Sequence, residues 1–159
     1  MRNAALFAIA ATVAGPVLAE AHMAGDPAAG EKAFRQCVSC HVVQDDAGET
    51  LAGKNGRTGP NLYAIALRPY GARDDFSYSS SMVAAGEAGN VWTEPSFAAY
   101  VQDPTGHLRE VLDDSGARGK MSFRLRKEED AVNVWAYLVS LGPDLTDAQM
   151  EELSAASGR

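Results

Sequence analysis

Hydrophobic residues recur at helical spacing in several short segments of this chain. The clearest segment spans residues 128–141, and its inward positions form one apolar stripe: Ala131, Val134, Leu138 and Leu141. The pair Gly142-Pro143 follows it, and such a pair is typical of the end of a helix. The pattern therefore predicts one well-defined helix near the carboxyl end of the chain.

Four weaker helix signals precede this segment. Asp26 and Thr93 are helix-capping residue types, and each is followed within two residues by a proline, which suits the first turn of a helix. The predicted helices cover residues 27–37, 60–68, 79–85 and 94–102. All four are short, so the pattern predicts a small helical protein.

Long polar segments separate these helices. Residues 42–58 and 105–124 show no clear period and are predicted to be loops, and residues 69–77 to be irregular. The acidic tail, residues 144–159, is compatible with disorder or with a brief helix that starts at Thr146. We therefore expect an all-α protein with long loops. Its helices are too few and too short to enclose a core alone, so something else must fill the centre.

Residues 1–19 have the pattern of a secretory signal peptide. Arg2 is followed by an apolar run and then by small residues that suit a cleavage site. The alternative is a transmembrane anchor, but the apolar run is well short of the ~20 residues that span a bilayer. Cleavage is predicted after Ala19, or otherwise after Ala21, and it leaves one domain over residues 20–143 followed by the tail.

Composition and charge narrow the function further. The chain has 159 residues, enough for one domain, and its 46% hydrophobic content argues against overall disorder. The formal net charge is −7, and loss of Arg2 with the leader makes the mature chain more negative still. An acidic chain is not expected to bind nucleic acid without a separate basic face. We expect a monomer with no membrane span once the leader is removed.

The only two cysteines lie in one motif, Cys37-Val38-Ser39-Cys40-His41. The C-x-x-C-H pattern is the attachment signature of c-type haem. Two thiols one helical turn apart can each form a thioether with a vinyl group of the porphyrin. The imidazole of His41, next in the chain, can then bind the iron.

Two other interpretations of the cysteine pair are weaker. A thioredoxin-like site requires a preceding strand in a βαβ context, whereas a short helix is predicted before Cys37. Half of a zinc site requires two further Cys or His ligands at a similar spacing, and the sequence contains no second pair. We therefore predict one haem c per chain, bound covalently through Cys37 and Cys40.

A second axial ligand has to come from elsewhere in the chain. The candidates by residue type are Met82, His107, Lys120, Met121 and Met150. Met121 lies in a glycine-bearing segment just before the last predicted helix, from where its thioether can reach the iron face opposite His41. A methionine in a loop is also common as ordinary packing, so position alone leaves the choice open.

Several motifs, taken in order, resemble those of class I cytochromes c, and closely those of the cytochrome c2 type from purple photosynthetic bacteria. The resemblance spans residues 25–142 and rests on Gly30, Phe34, Thr58-Gly59-Pro60-Asn61-Leu62, Phe76-Ser77-Tyr78-Ser79, Trp92, Lys120-Met121-Ser122-Phe123 and Trp135-Ala136-Tyr137-Leu138. The chain departs from the family at Leu67, where Gly is usual before Arg68, and at Met82, where Asn is common. The resemblance implies the class I cytochrome c fold around one covalent haem.

The resemblance also implies roles for individual residues. Met121 would be the sixth ligand of the iron, opposite His41. The carbonyl of Pro60 would accept the second ring N–H of His41, and such a contact fixes the ring and tunes the metal. The residues implied to contact a haem propionate are Arg68, Tyr78, Ser79 and Trp92. For Tyr78 and Trp92 the alternative is a plain core position.

An iron bound by a histidine and a methionine has no free position for a substrate. This arrangement favours outer-sphere electron transfer, and both the thioether and apolar burial raise the reduction potential. We therefore predict a soluble periplasmic electron carrier and not an enzyme. The alternatives are a haem enzyme or small-ligand-binding protein with a labile Met121, and a permanent subunit of a larger redox complex.

Basic residues flank both segments that would cover the haem, although the chain is acidic overall. The predicted docking surface comprises Lys32, Arg35, Arg57, Lys120, Arg124 and Lys127. A positive ring on an acidic protein forms a dipole that can steer it to acidic partners. The resemblance implies membrane redox complexes as partners, with a cytochrome bc complex as donor and a photosynthetic reaction centre or terminal oxidase as acceptor.

Overall fold

The computed structural model of the chain describes residues 24–157. These residues form six helices and one two-stranded antiparallel sheet, in the order α1 (Pro27–Phe34), β1 (Val43–Gln44), β2 (Thr50–Ala52), α2 (Ser80–Glu87), α3 (Glu94–Gln102), α4 (Pro104–Leu112), α5 (Glu128–Ser140) and α6 (Asp147–Ser157). The prediction of an all-α protein with short helices is confirmed. The predicted signal peptide, residues 1–19, lies outside the described residues.

Helices α1 and α5 cross in close contact, and a glycine permits the approach. A side chain at Gly30 would collide with the backbone of Asn133 on α5. Beside the crossing, the rings of Phe34 and Tyr137 pack with their centroids 5.7 Å apart. Asp26 caps α1 by accepting a hydrogen bond from the backbone of Ala28 at 2.8 Å, as its residue type predicts.

The predicted loop over residues 42–58 contains a short hairpin, so that prediction was wrong in part. Strand β1 pairs with β2, and the side chain of Val43 on β1 is fully buried. The side chain of Asp45 closes the turn by accepting hydrogen bonds from the backbone of Ala47 and of Glu49. Strands of two and three residues are too short for an alternating pattern to stand out in the sequence.

The helix predicted over residues 60–68 is absent from the structure. Ala64 and Leu67 have left-handed backbone conformations, with φ of 52° and 57°, and these interrupt any helix. The side chain of Asn61 instead ties the segment to β1 by accepting from the backbone of Gln44 at 3.0 Å and donating to the carbonyl of the same residue. Tertiary contacts thus override the local helical spacing.

A helix was missed directly after α3. Asp103 and Pro104 were interpreted only as the end of α3, which is confirmed, and residues 105–124 as a loop. In the structure Asp103 also caps α4 by accepting from the backbone of Gly106 at 3.1 Å, and Pro104 takes the first helical position. The same two residues end one helix and begin the next, because Asp is a good cap and Pro suits a first turn.

Of the two alternatives for the tail, the structure has the helix. Thr146 and Gln149 exchange hydrogen bonds at the start of α6, at 2.9 Å and 3.4 Å, as a capping pair does. Leu153 is buried, with 7% of its surface exposed, where α6 packs against α3. The single apolar anchor explains why the sequence pattern of this segment was ambiguous.

Helices α2 and α3 and the loops between the helices enclose a cavity. Helix α2 begins at its cap Ser79, as predicted, but it continues past Gly86 to Glu87. Buried side chains from α1, α3, α4 and α5 form one hydrophobic core beside the cavity. Within residues 24–157 none of the helices has the length and apolar character needed to cross a bilayer.

Candidate functional site

The attachment motif lies on a tight turn that follows α1. The backbone N–H of His41 donates to the carbonyl of Cys37 at 2.9 Å, and the N–H of Cys40 donates to the same carbonyl at 3.1 Å. Both cysteines carry free thiols, and both line the cavity together with His41. Burial raises the pKa of Cys37 to about 11, so its thiol is protonated at neutral pH.

The imidazole of His41 is fixed in one tautomer. Its Nδ1 lies 2.9 Å from the carbonyl oxygen of Pro60, and because a carbonyl can only accept, Nδ1 carries the proton. The lone pair is then on Nε2. Burial lowers the pKa of His41, so the ring is held in the neutral form that binds metals.

Gly59 lets this ring lie flat against the backbone. A side chain at Gly59 would collide with the imidazole of His41. The N–H of Gly59 also donates to the carbonyl of Cys40 at 2.8 Å, which joins the two segments on either side of the ring. The role of Pro60 at the imidazole was predicted, whereas the close packing of Gly59 was not.

The cavity has a volume of about 310 Å³ and is mostly apolar. This volume is within the range of ~300–1,000 Å³ that is usual for cofactor and ligand sites. Its apolar walls come from α2, α3 and the loops between the helices, and they include Leu62, Ile65, Met82, Trp92, Tyr100, Val101 and Phe123. Tyr100 and Val101 belong to α3 and were not among the predicted site residues. They reach the cavity because α3 forms one of its walls.

Polar side chains that were predicted as propionate contacts line the same cavity: Arg68, Tyr78, Ser79 and Trp92. The guanidinium of Arg68 donates to the carbonyls of Tyr63, at 2.6 Å, and Asn61, at 3.4 Å. Among the described residues no carboxylate forms a salt bridge with it, and burial is the largest influence lowering its pKa. A cation in this setting is complementary to an anionic group of a bound cofactor.

The segment from Gly119 to Leu125 closes one side of the cavity, and we call it the methionine loop because it carries Met121. Lys120 Nζ donates to the carbonyl of Ser77 at 2.5 Å and to its Oγ at 3.2 Å. At the other end of the loop, the N–H of Leu125 donates to the carbonyl of Val101 at 2.8 Å. The loop is thus fastened on both sides of Met121.

The structure separates the five candidate axial ligands into two groups. Lys120, Met121 and Met82 line the cavity, and the ammonium group of Lys120 is already engaged with Ser77. His107 lies behind the cavity wall, where its Nε2 is 2.8 Å from the hydroxyl of Tyr70. Met150 belongs to α6 and does not line the cavity. His107 and Met150 are therefore wrong candidates.

All six residues of the predicted docking surface are exposed, but two of them are engaged within the chain. Arg124 Nη2 lies 2.8 Å from the carboxylate of Asp103, and Lys120 donates to Ser77. The other four, which carry no salt bridge to the described residues, are Lys32, Arg35, Arg57 and Lys127. Arg124 is the weakest member of the predicted surface, because its charge is compensated locally.

This donor set fits a haem c. Two thiols on one turn, a neutral imidazole with a free Nε2, a thioether on a separate loop and an uncompensated guanidinium all line one apolar cavity. Each group matches a part of that cofactor: vinyl groups, iron and a propionate. A zinc or thioredoxin-like site would leave the size and apolar walls of the cavity without a purpose.

Comparison with known proteins agrees with the geometry. The chain is 60% identical over 120 residues to "Cytochrome c2" of Rhodovulum adriaticum, covering 76% of this chain and 95% of that one. It is 53% identical over 135 residues to "Cytochrome c2" of Cereibacter sphaeroides, covering 84% and 91%. The crystal structure of cytochrome c2 from Rhodobacter sphaeroides superposes with a TM-score of 0.74 at 50% identity, covering 76% of this chain and 99% of that one. No protein-family model matches the chain.

Proposed function

The chain belongs to the cytochrome c2 family and has its class I cytochrome c fold, and from this premise we propose that it is a periplasmic carrier of single electrons between membrane redox complexes. The family makes it a haem c electron carrier. One observation supports the finer proposal most strongly: Cys37, Cys40, His41 and Met121 line a single cavity.

The proposed cofactor is one haem c. The thiols of Cys37 and Cys40 would hold its vinyl groups, Nε2 of His41 and the thioether of Met121 would hold the iron, and Arg68 would face a propionate. When bound, this cofactor supplies a one-electron Fe(III)/Fe(II) couple. The protein chain would bind this cofactor, orient its ligands and exclude water from it.

The chain's contribution is to keep the site rigid, dry and closed to substrates. The carbonyl of Pro60 and the backbone at Gly59 keep the imidazole of His41 in one tautomer and one orientation. The apolar walls exclude water, and exclusion of water disfavours the more highly charged oxidised state, so it raises the reduction potential. A thioether from Met121 would favour the reduced state, and so it would also raise the reduction potential.

Electron exchange requires a partner at the mouth of the cavity. Lys32, Arg35, Arg57 and Lys127 are exposed basic side chains on a chain of net charge −7. Such a distribution accelerates association with acidic partners at low salt. We propose a cytochrome bc complex as donor and a reaction centre or terminal oxidase as acceptor, with the carrier monomeric and exported after removal of residues 1–19.

Absorption spectra of the purified holoprotein, oxidised and reduced, test the ligand set. Met121→Ala is compared with Met82→Leu, because both thioethers line the cavity. We expect the weak charge-transfer band of methionine-bound Fe(III) in the wild type and in Met82→Leu, and its loss in Met121→Ala. A colourless mature protein, or a wild type that readily binds carbon monoxide or cyanide at neutral pH, would overturn the proposal.

Stopped-flow rates with a purified bc complex test the docking surface. We expect the rate to fall with added salt, and to fall in Arg57→Gln more than in Arg124→Gln. The two variants each remove one exposed guanidinium, but Arg124 is already paired with Asp103. Equal effects of the two substitutions, or rates that do not depend on salt, would refute electrostatic steering by this surface.

A further inference from the structure

Behind the cavity wall lies a buried hydrogen-bonded pair that the carrier function does not use. The hydroxyl of Tyr70 is 2.8 Å from Nε2 of His107. Tyr70 is 2% exposed and His107 is 8% exposed, so both groups are shielded from water. Neither residue lines the cavity. A buried base that is hydrogen-bonded to a phenol can accept the phenolic proton.

Trp92 connects this pair to the cavity. Its indole lines the cavity on one side and stacks on the ring of Tyr70 on the other, with centroids 4.0 Å apart and an interplanar angle of 27°. The stacked rings and the hydrogen bond form one continuous path from the cavity wall through Tyr70 to His107. Electron transfer between aromatic rings in direct contact does not require either ring to move.

The protonation states of the pair suit proton transfer in one direction. Burial raises the pKa of Tyr70 to about 12 and lowers that of His107, so at neutral pH the phenol carries its proton and the imidazole is a free acceptor. A tyrosine that loses an electron becomes a strong acid and must also lose its phenolic proton. His107 Nε2 is at the distance at which a base can take that proton.

We propose that Tyr70 and His107 form a proton-coupled redox site that a strong one-electron oxidant at the cavity wall oxidises through Trp92. One electron leaves Tyr70 and passes to the oxidant, which is thereby reduced by one electron. The phenolic O–H bond breaks, and its proton forms an N–H bond at Nε2 of His107. The products are a neutral tyrosyl radical and an imidazolium. Return of one electron to the radical, together with transfer of the proton from Nε2 back to the phenolic oxygen, restores the pair. This site goes beyond the carrier role and does not depend on which residue is the sixth ligand.

Tyr100, which lies in the cavity wall itself, provides a comparison with Tyr70 behind it. It is buried, lines the cavity and contacts Trp92 edge-on, with centroids 5.1 Å apart. Its ring also meets the ring of His107 edge-on at 6.1 Å, but within residues 24–157 its hydroxyl makes no hydrogen bond to that imidazole. Tyr100 therefore has the same neighbours as Tyr70 without the proton acceptor.

The experiment oxidises the ferric holoprotein with flash-generated tris(bipyridine)ruthenium(III), so that the iron is not the electron donor. Electron paramagnetic resonance, with ring-deuterated tyrosine as a label, identifies a tyrosyl radical. We expect the signal in the wild type and in Tyr100→Phe, and its loss in Tyr70→Phe. In His107→Gln the side chain still accepts a hydrogen bond but is a far weaker base, so formation slows by roughly 10²-fold.

A measurement on the unaltered protein keeps the test independent of folding in the variants. Formation of the radical in D2O is expected to be slower than in H2O, because the proton moves with the electron. Equal rates in the two solvents overturn the proposal, as do a full signal in Tyr70→Phe and a wild-type rate in His107→Gln. Optical spectra taken before the flash report the haem separately, so a failed carrier function and a failed redox site are distinguishable.

Discussion

Replacing Gly30 by alanine tests the helix crossing on which the fold depends. In an exposed helix the change from glycine to alanine stabilises a protein by about 0.5–1 kcal/mol, because alanine loses less backbone entropy on folding. Gly30 is not exposed: an added Cβ would lie 2.6 Å from the carbonyl carbon of Asn133 and 2.7 Å from Cβ of Tyr137. The structure therefore predicts the opposite sign.

The magnitude follows from which atoms would collide. Overpacking in a core costs about 1–3 kcal/mol, and the upper part of that range applies when the obstructing atoms are backbone and cannot rotate away. Subtracting the gain in helix propensity leaves a net loss of about 1–2 kcal/mol of unfolding free energy. With a urea dependence of about 1–3 kcal/mol per molar, the unfolding midpoint should fall by about 0.3–2 M.

Urea unfolding of the ferric holoprotein, followed by far-ultraviolet circular dichroism, measures this loss. Glu31, the next residue of α1, is exposed, and the pair Glu31→Gly and Glu31→Ala gives the local helix propensity without the collision. We expect alanine to be the more stable choice at position 31 and the less stable choice at position 30. If Gly30→Ala is as stable as the wild type or more so, the close crossing of α1 and α5 is refuted.

Three further predictions concern other parts of the fold. Leu153→Ala should cost about 2–4 kcal/mol because it leaves a cavity under α6, whereas the exposed Ser154→Ala should cost less than about 0.5 kcal/mol in the same urea assay; equal effects would mean that α6 is not docked. Because the pKa of His107 is lowered in the folded protein, the unfolded state binds the proton first as the pH falls. The contribution of His107 to the free energy of unfolding is therefore present above pH 6.5 and is lost on acidification below it. His107→Gln should flatten the profile of unfolding free energy against pH in this range, and an unchanged slope would contradict the assignment. A double-mutant cycle of Asp103→Asn and Arg124→Gln should give a coupling of less than about 1 kcal/mol that disappears at high salt, since the two side chains are 49% and 60% exposed; a larger coupling at high salt would contradict a surface pair.

The sequence predicted the elements that carry their own local signals. Helix α5 has a full apolar stripe, and the cap and proline at the start of α1 and α3 gave their first residues. The donor set of the site was predicted largely from one motif and from the resemblance, and the structure brings its members to one cavity. The helices and the attachment motif were predicted because residue type and spacing determine them, whereas the choice of Met121 rested on the resemblance.

The missed features depend on contacts between distant parts of the chain. Neither Ala64 nor Leu67 is a residue type that indicates a left-handed backbone. In the structure this conformation occurs in the segment that the side chain of Asn61 joins to β1 by hydrogen bonds. Asp103 was interpreted for one role when it performs two. The engagement of Arg124 by Asp103 likewise joins residues 21 positions apart in sequence, so charge patterning alone could not separate paired from free cations.

The fastening of the methionine loop has a consequence for its motions. Its contacts reach three different elements: Ser77 before α2, Val101 in α3, and Asp103 at the junction with α4. Each contact is worth on the order of 1 kcal/mol, so fraying at one point leaves the others in place. The loop as a whole should therefore be displaced only when all three contacts are broken together. In native-state hydrogen exchange, the Leu125 amide should report the free energy of that single opening unit, separately from global unfolding.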